Sequence, residues 1–248
     1  MARWPKQDRS DWAMPLVGKT FWVYQRLSPA MRRRALTETL KRAYTRLHFD
    51  IFPNITKRDY FAAPTALLPF LQESVTARLG PIIWLGPEGD KGSQAKYQGI
   101  KFTKQLKKFV PIVDASVAEY ILGPEVEEYW DDDEVSRIGA VLRTLTKKPI
   151  WVHRKTGEHG PWGWWRAQTW ATGLAYQFTK RDMQKPGFLA HPDDVRDETT
   201  LYASRLKGVG KKFIASEYAY LRPEHKAQAL GAIALQYGSV GFMNGGRL

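Results

Sequence analysis

Short apolar runs alternate with amphipathic segments along most of the chain. The runs, such as residues 82–86 and 149–153, are rich in β-branched and aromatic residues and show no polar–apolar alternation. Uninterrupted runs of strand length are typical of strands that are buried on both faces of a parallel sheet. The pattern therefore predicts an α/β protein with a parallel sheet.

Eight strands and their connecting helices follow from this pattern. The predicted strands are 20–25, 47–52, 82–86, 120–126, 149–153, 173–178, 211–218 and 240–245. The predicted helices are 28–47, 65–79, 100–117, 131–146, 192–206 and 223–237, with a short helix inside the Trp-rich segment 162–170. This alternation predicts a single (β/α)8 barrel, the TIM barrel, over residues 18–248.

The two ends of the chain modify this barrel. Residues 1–17 read as an irregular N-terminal arm, and the chain stops soon after the eighth predicted strand. The last helix is therefore expected to be missing or replaced by the arm. An open doubly wound sheet is the rival fold, but it usually has a glycine-rich first turn, and residues 25–27 contain no glycine.

Composition narrows the function classes. Lys and Arg number 38 against 25 Asp and Glu, which gives a net charge of +13. Such an excess suggests an anionic partner, but no nucleic-acid-binding motif accompanies the scattered basic residues, so nucleic-acid binding is disfavoured. No apolar run approaches the roughly 20 residues of a membrane span, and no signal peptide is recognisable, so synthesis in a cytoplasm is expected.

Several chemistries need residues that this chain does not supply. There is no cysteine, which excludes disulfides, thiolate nucleophiles and Cys-based zinc sites. The five histidines have no spacing that suggests a metal site. We therefore expect neither a metal nor a cofactor.

Candidate chemistry lies at the ends of the predicted strands, because the carboxyl ends of barrel strands share one face. Glu125 ends the fourth predicted strand and Glu217 ends the seventh. Paired carboxylates of this kind carry out glycoside hydrolysis, with one protonated and the other ionised. Glu127 and Glu128 follow Glu125 closely, and a shift of strand register would bring either to the inner face.

Further polar and aromatic residues are candidates for substrate binding. Those at strand ends are Gln25, Asp50, Glu88, His153, Gln177 and Asn244. Trp164 and Trp165 would offer aromatic faces to sugar rings, with packing of a loop against the body as the alternative. A structural, hydrogen-bonded histidine is likewise the alternative for His153.

An acid on the fourth strand and an acid on the seventh resembles the retaining TIM-barrel glycoside hydrolases. The chain resembles more closely a group of TIM-barrel proteins of tailed bacteriophages that are described as virion or tail proteins. The resembling segments are spread over nearly the whole chain: residues 27–29, 42–45, 84–86, 122–126, 163–166, 172–177, 216–218 and 241–247.

The resemblance implies a function and a setting. Glu125 would be the general acid/base and Glu217 the nucleophile of a virion protein that binds, or binds and hydrolyses, a host-surface glycan. Its partners would be that glycan and other virion proteins, with a homo-oligomer allowed. The chain departs from the hydrolases at Pro124, where they usually have an Asn that binds the substrate. A structural virion protein that uses the barrel as an assembly scaffold is therefore the alternative.

Overall fold

The computed structural model describes residues 24–41, 44–51, 59–86, 99–155, 159–178, 191–216 and 224–242, with the side chains of Asp50, Glu224, His225 and Ala227 excepted. The predicted arm over 1–17 and most of the first predicted strand lie outside these residues. Three candidate site residues, Glu88, Glu217 and Asn244, also lie outside them.

Six parallel strands form one sheet. They are β1 (Arg46–Asp50), β2 (Gly80–Leu85), β3 (Glu119–Leu122), β4 (Ile150–Arg154), β5 (Gly173–Gln177) and β6 (Lys212–Ser216). They correspond to the second to seventh predicted strands. Phe242, in the eighth predicted strand, makes one parallel bridge to Ala215 of β6. The α/β class and the parallel sheet are thereby confirmed.

The strands lie side by side in the order in which the chain forms them. A doubly wound sheet reverses its strand order at a switch point, where it binds ligands. The six described strands show no such reversal. Their arrangement is that of a half-barrel, because crossovers of one hand place every connecting helix on the same side of the sheet.

One α-helix precedes the described strands and six others connect or follow them. In the described part of the chain they are α1 (Pro29–Lys41), α2 (Leu68–Thr76), α3 (Gly99–Val113), α4 (Asp132–Leu145), α5 (Trp162–Ala167), α6 (Pro192–Lys207) and α7 (Glu224–Gln236). Local sequence explains where several begin. The Asp131 side chain accepts the backbone N–H of Glu134 at 2.8 Å, and acids in the first turn of α4 complement the helix dipole. The Ser28 hydroxyl accepts the N–H of Met31 at 3.3 Å before α1.

The two faces of the sheet belong to different cores. Alternate strand residues, such as Ile83 and Leu85 of β2, join the large core formed with the helices. The residues between them form a second cluster on the opposite face, which we call the inner face: Ile82, Trp84, Ile121, Trp151, Ala175 and Ile214. Side chains alternate between the faces of a strand. Burial of both faces therefore explains why the strands are continuous apolar runs.

The strand predicted over 120–126 is shorter than expected and ends at Leu122. Gly123 has φ 128° and Glu125 has φ 44°, so the backbone leaves the extended region. Residues Val126–Glu128 then form a single 3-10 turn. The first predicted strand also differs where it is described, because Tyr24 is helical and Gln25 lies in a turn.

Candidate functional site

His153 occupies the inner face near the carboxyl end of β4. Its side chain is fully buried, and its ring lies 4.9 Å, between centroids, from that of Trp84 on β2. Its Nδ1 accepts the backbone N–H of Glu125 at 2.9 Å. The histidine therefore ties the turn that follows β3 to the end of β4, and it brings together two of the residues that the sequence singled out.

A second histidine continues this row of rings across the inner face. Trp84 donates its indole N–H to Nδ1 of His48 on β1 at 2.9 Å. Burial lowers the pKa of His48 to about 3, and the nearby Arg46 contributes to the shift. Burial likewise lowers the pKa of His153 to about 3. Both imidazoles are therefore neutral over the physiological pH range.

Among the described residues, two buried polar atoms on the inner face have no hydrogen-bond partner. They are Nε2 of His153 and the hydroxyl oxygen of Ser216, the last residue of β6. Both residues are 0% exposed. Unpartnered buried polar groups are rare and each invites an explanation, so these atoms mark the inner face near the strand ends as a candidate site.

Glu125 adopts a left-handed backbone conformation with φ 44° and ψ 63°. For a residue other than glycine this conformation costs on the order of 1–2 kcal/mol, and such strain is found preferentially at functional sites. The hydrogen bond to His153 helps to hold it. Glu125 is half-buried, so it is neither part of the core nor fully exposed to solvent.

Close packing fixes the turn before Glu125 against β2 and β4. A Cβ atom on Gly86 would lie 2.6 Å from the carbonyl oxygen of Gly123. A Cβ atom on Gly123 would lie 2.8 Å from Cβ of His153, at a φ that favours glycine. Both positions therefore require glycine, and the Glu125 backbone cannot shift without moving the strand ends.

Glu127, which the sequence left as an alternative acid, lies in the same turn. Its Oε1 accepts the backbone N–H of Lys155 at 2.7 Å, whereas its Oε2 is buried without a partner. Burial raises the pKa of the Glu127 carboxyl, and the Lys155 N–H opposes part of the shift. The protonated form is therefore favoured more than in a solvated glutamate.

Three other predicted site residues also lie at the carboxyl ends of strands. Gln25 accepts a hydrogen bond from the hydroxyl of Tyr60, and the backbone N–H of Tyr60 bonds to the carbonyl of Ile51, directly after β1. Asp50 ends β1 opposite Trp84, and Gln177 ends β5 opposite Ser216. The distribution of these residues agrees with a site at this end of the sheet.

Trp164 and Trp165 lie on the helix side of the sheet. Trp165 is fully buried and donates its indole N–H to the carbonyl of His159 at 2.7 Å. Trp164 donates to the hydroxyl of Ser136 on α4 at 2.8 Å, and its ring packs with that of Trp170. Both rings therefore pack α5 against its neighbours, which is the alternative that the sequence left open for them.

The sequence-based candidates did not include His48, Trp84 or Ser216, because most of these candidates were the residues that end the predicted strands. A usable signal was present. Counting back in steps of two from Asp50 gives His48, and counting back from Gly86 gives Trp84, since alternate residues share a face. The candidate site therefore extends down the inner face from the strand ends.

The described part of the chain contains neither a cluster of metal ligands nor a helix suited to span a membrane. No three His, Asp or Glu residues there are grouped so that they could hold a metal ion. No described helix is both long enough and apolar enough to cross a membrane.

Comparisons with known proteins give a fold. No protein-family model matches the sequence, and no curated protein matches it. Among solved structures, the chain is similar to a mandelate racemase/muconate lactonizing enzyme from Jannaschia sp. CCS1, at 13% identity and TM-score 0.52, over 91% of this chain and 50% of that chain. This chain therefore spans about half the length of that enzyme.

Two further similarities have comparable strength. A provisionally assigned phosphonomutase from Burkholderia cenocepacia J2315 has 13% identity and TM-score 0.50, over 85% of this chain and 82% of that chain. A GH18 chitinase from Pseudoalteromonas aurantia has 12% identity and TM-score 0.49, over 72% and 74% of the two chains. At these identities a similarity concerns the fold alone, and the third is too weak to carry an argument.

Proposed function

We propose that the chain forms a closed (β/α)8 barrel that binds a glycan at the carboxyl end of its inner face. Closure is supported at the two edges of the described sheet. Phe242 bridges to β6, and its ring centroid lies 6.4 Å from that of Tyr44, two residues before β1. The first and last parts of the sheet therefore approach each other, as a barrel requires.

The chemistry of the inner face suits an uncharged, hydroxyl-rich ligand. Its described groups near the strand ends include neutral imidazoles and a hydroxyl, and Trp84 places an indole among them. Gln177 adds an amide at the end of β5. Ligand sites commonly combine aromatic walls with a few convergent polar groups. The observation that carries the proposal is the hydrogen bond from Glu125 to His153, which holds an acid of the predicted pair beside this surface.

The proposed reaction is retaining hydrolysis of a glycosidic bond. The Glu217 carboxylate would attack the anomeric carbon, while protonated Glu125 gives its proton to the departing oxygen. Glu125 would then remove a proton from water, which releases the sugar from Glu217. This mechanism requires carboxyl groups about 5–5.5 Å apart. Glu217 directly follows Ser216, the last residue of β6.

Placement in a bacteriophage virion, against a host-surface glycan, is also part of the proposal, and it rests on the sequence resemblance alone. A scaffold protein that binds without catalysis is the second candidate. Pro124 favours it, because it replaces the Asn that the hydrolases usually place before the acid. Detection of the chain in purified phage particles by mass spectrometry would test the setting separately from the chemistry.

A cleavage and binding assay tests the function. Wild type, Glu125→Gln and Glu217→Gln would be incubated with cellohexaose, maltohexaose and chitohexaose, with calorimetry for binding and NMR for the anomeric configuration of products. We expect wild type to release products of retained configuration, and both variants to bind without cleavage. Binding without cleavage by wild type would favour the scaffold. The absence of binding to every oligosaccharide would overturn the proposal.

A further inference from the structure

We propose that His153 is a dedicated hydrogen-bond donor to the bound ligand, and that its Nε2–H binds an uncharged oxygen of the glycan. The inference rests on the proposed function and adds to it the chemical group that the site recognises. It assigns His153 two separate tasks, because its two ring nitrogens have different partners. Nδ1 holds the Glu125 backbone, and Nε2 is reserved for the ligand.

The tautomer of His153 follows from its hydrogen bond. A neutral imidazole carries one hydrogen, on either Nδ1 or Nε2. Since Nδ1 accepts the Glu125 N–H at 2.9 Å, the hydrogen must be on Nε2. Its neutrality has an independent cause, since the ring is fully buried between Trp84 and the end of β4. Nε2 is therefore a donor that cannot become an acceptor without loss of the bond to Glu125.

This donor has no acceptor among the residues that the structure describes. Nε2 is buried and unpartnered, and leaving such a group unsatisfied costs about 1–3 kcal/mol. A ligand oxygen would recover that cost, which is how a site built to hydrogen-bond a substrate discriminates against analogues that lack the group. A ligand oxygen as the partner therefore explains why no described residue accepts this hydrogen bond.

Ser216 provides a second, independent sign of the same kind. Its hydroxyl is buried without a partner on the inner face at the end of β6, two strands away from β4. Neighbouring strands lie about 4.8 Å apart, so the two groups are on strands separated by roughly 10 Å. They would contact different hydroxyl groups of one oligosaccharide rather than a single oxygen.

The described groups near His153 also indicate the charge of the ligand. Trp84, Ile121 and Ala175 line the inner face around the ring and are uncharged, and the neutral imidazole adds no charge. A buried carboxylate or phosphate would need a charged partner there. The oxygen is therefore expected to be a hydroxyl, ring or amide oxygen, and neutral glycans should bind better than oligouronates of equal length.

Two substitutions separate the two tasks of His153. The amide oxygen of Asn can take the place of Nδ1, so His153→Asn keeps the acceptor for Glu125 and removes the donor. The longer Gln side chain can place its amide N–H near the position of Nε2, so His153→Gln keeps the donor and weakens the bond to Glu125. We expect roughly tenfold weaker binding of the best oligosaccharide by His153→Asn, with a smaller change for His153→Gln.

Thr199→Val is the matched control. The Thr199 hydroxyl is also buried and unpartnered, but it lies on α6, on the helix side of the sheet. Val replaces the hydroxyl with a methyl group of similar size, and we expect glycan binding to be unchanged. Ser216→Ala should weaken binding, since it removes the second group on the inner face. Equal losses in Thr199→Val and Ser216→Ala would overturn the interpretation of unpartnered groups as ligand contacts.

Nitrogen-15 NMR of the wild-type imidazoles tests the donor without any substitution. We expect the Nε2–H tautomer for His153 in the free protein, and a downfield shift of its Nε2 proton when cellohexaose, maltohexaose or chitohexaose saturates the site. Binding without this shift, or with full affinity in His153→Asn, would overturn the donor role and leave the proposed function standing. If none of these glycans binds to wild type, both fail.

Discussion

Both ends of the inner face carry buried or partly buried polar groups, but the hydrogen bonding of these groups differs between the two ends. At the amino end, Glu119 accepts Nε–H of Arg46 at 2.8 Å and the indole N–H of Trp151 at 2.7 Å, through different oxygens. At the carboxyl end, His153 and Ser216 each bury a polar atom that has no partner. One end is electrostatically complete, and the other retains unused hydrogen-bonding capacity.

The difference shows how one sheet separates stability from function. A carboxylate with both oxygens bonded contributes to the folded state, whereas an unpartnered buried donor costs stability until an acceptor, such as a ligand oxygen, bonds to it. In barrel proteins the carboxyl ends of the strands bear the active site and the amino ends mainly support the fold. The site that we propose would follow that division.

Acidification should expose the largest difference between the two ends. His48 and His153 are kept neutral by burial, with each pKa lowered to about 3, whereas an unfolded histidine has a pKa near 6.5. The unfolded state therefore binds more protons between these values, and stability falls as the pH decreases from 6.5. The loss at pH 5 should be roughly 2 kcal/mol for each histidine, measured by urea unfolding at pH 8, 6 and 5.

His153→Asn provides the control for this pH dependence. It removes one of the two titrating rings but keeps an acceptor for the Glu125 N–H, so about half of the loss between pH 8 and 5 should disappear. An unchanged pH profile in the variant would mean that His153 is not the buried neutral group inferred here.

Removing the acid at the amino end should have the next largest effect. Glu119→Ala leaves the indole N–H of the buried Trp151 without an acceptor and removes the partner of Arg46. We expect a loss of about 1–3 kcal/mol in the free energy of unfolding and no change in glycan affinity. Urea unfolding and calorimetry measure the two quantities, and a loss of affinity would contradict the division between the ends.

Glu38→Ala is a suitable comparison for that variant. Glu38 pairs with Lys41 on exposed α1 at 2.9 Å, with side chains 40% and 66% exposed. Exposed pairs of this type contribute little, so its stability should stay within about 0.5 kcal/mol of wild type. If Glu38→Ala lost as much unfolding free energy as Glu119→Ala, burial would not be what determines the cost of removing a paired glutamate.

Much of the fold was predictable because it is determined by local pattern. The runs at 82–86 and 149–153 became β2 and β4 with shifts of no more than two residues, since strands buried on both faces are unbroken apolar segments. The start of α4 followed from Asp131 and the acids after it. The end of β3 was not predicted, because the positive φ of Gly123 and Glu125 depends on packing against β2 and β4.

The candidate site was only partly predictable. Glu125 and His153 were chosen because each follows or ends a strand, but their hydrogen bond joins positions 28 residues apart, and no sequence pattern specifies it. Trp164 and Trp165 pack on the helix side of the sheet, and composition alone does not show which face an aromatic ring will cover. The paired state of Glu119 and the unpaired state of Ser216 likewise become visible only in the folded chain.

The same substitution at two glutamates gives the smallest and sharpest test. Glu127→Gln keeps a carbonyl oxygen for the Lys155 N–H and removes a carboxyl whose pKa is raised by burial. A raised pKa means that the folded state holds its proton more tightly than the unfolded state, so wild type loses stability as the pH rises through that pKa. The variant has no carboxyl at this position and lacks this loss. Both proteins keep His48 and His153, so the histidines contribute equally to their pH dependence and cancel when the two free energies of unfolding are subtracted.

We therefore expect the free energy of unfolding of Glu127→Gln to lie within about 1 kcal/mol of that of wild type. The difference should favour the variant more at pH 8 than at pH 5. Glu119→Gln should lose more stability than Glu127→Gln, because it removes the charge of a carboxylate that is paired with Arg46. Urea unfolding of both variants measures the two losses. Equal losses would contradict the inference that the bonded carboxylate of Glu119 stabilises the fold more than the half-bonded carboxyl of Glu127 does.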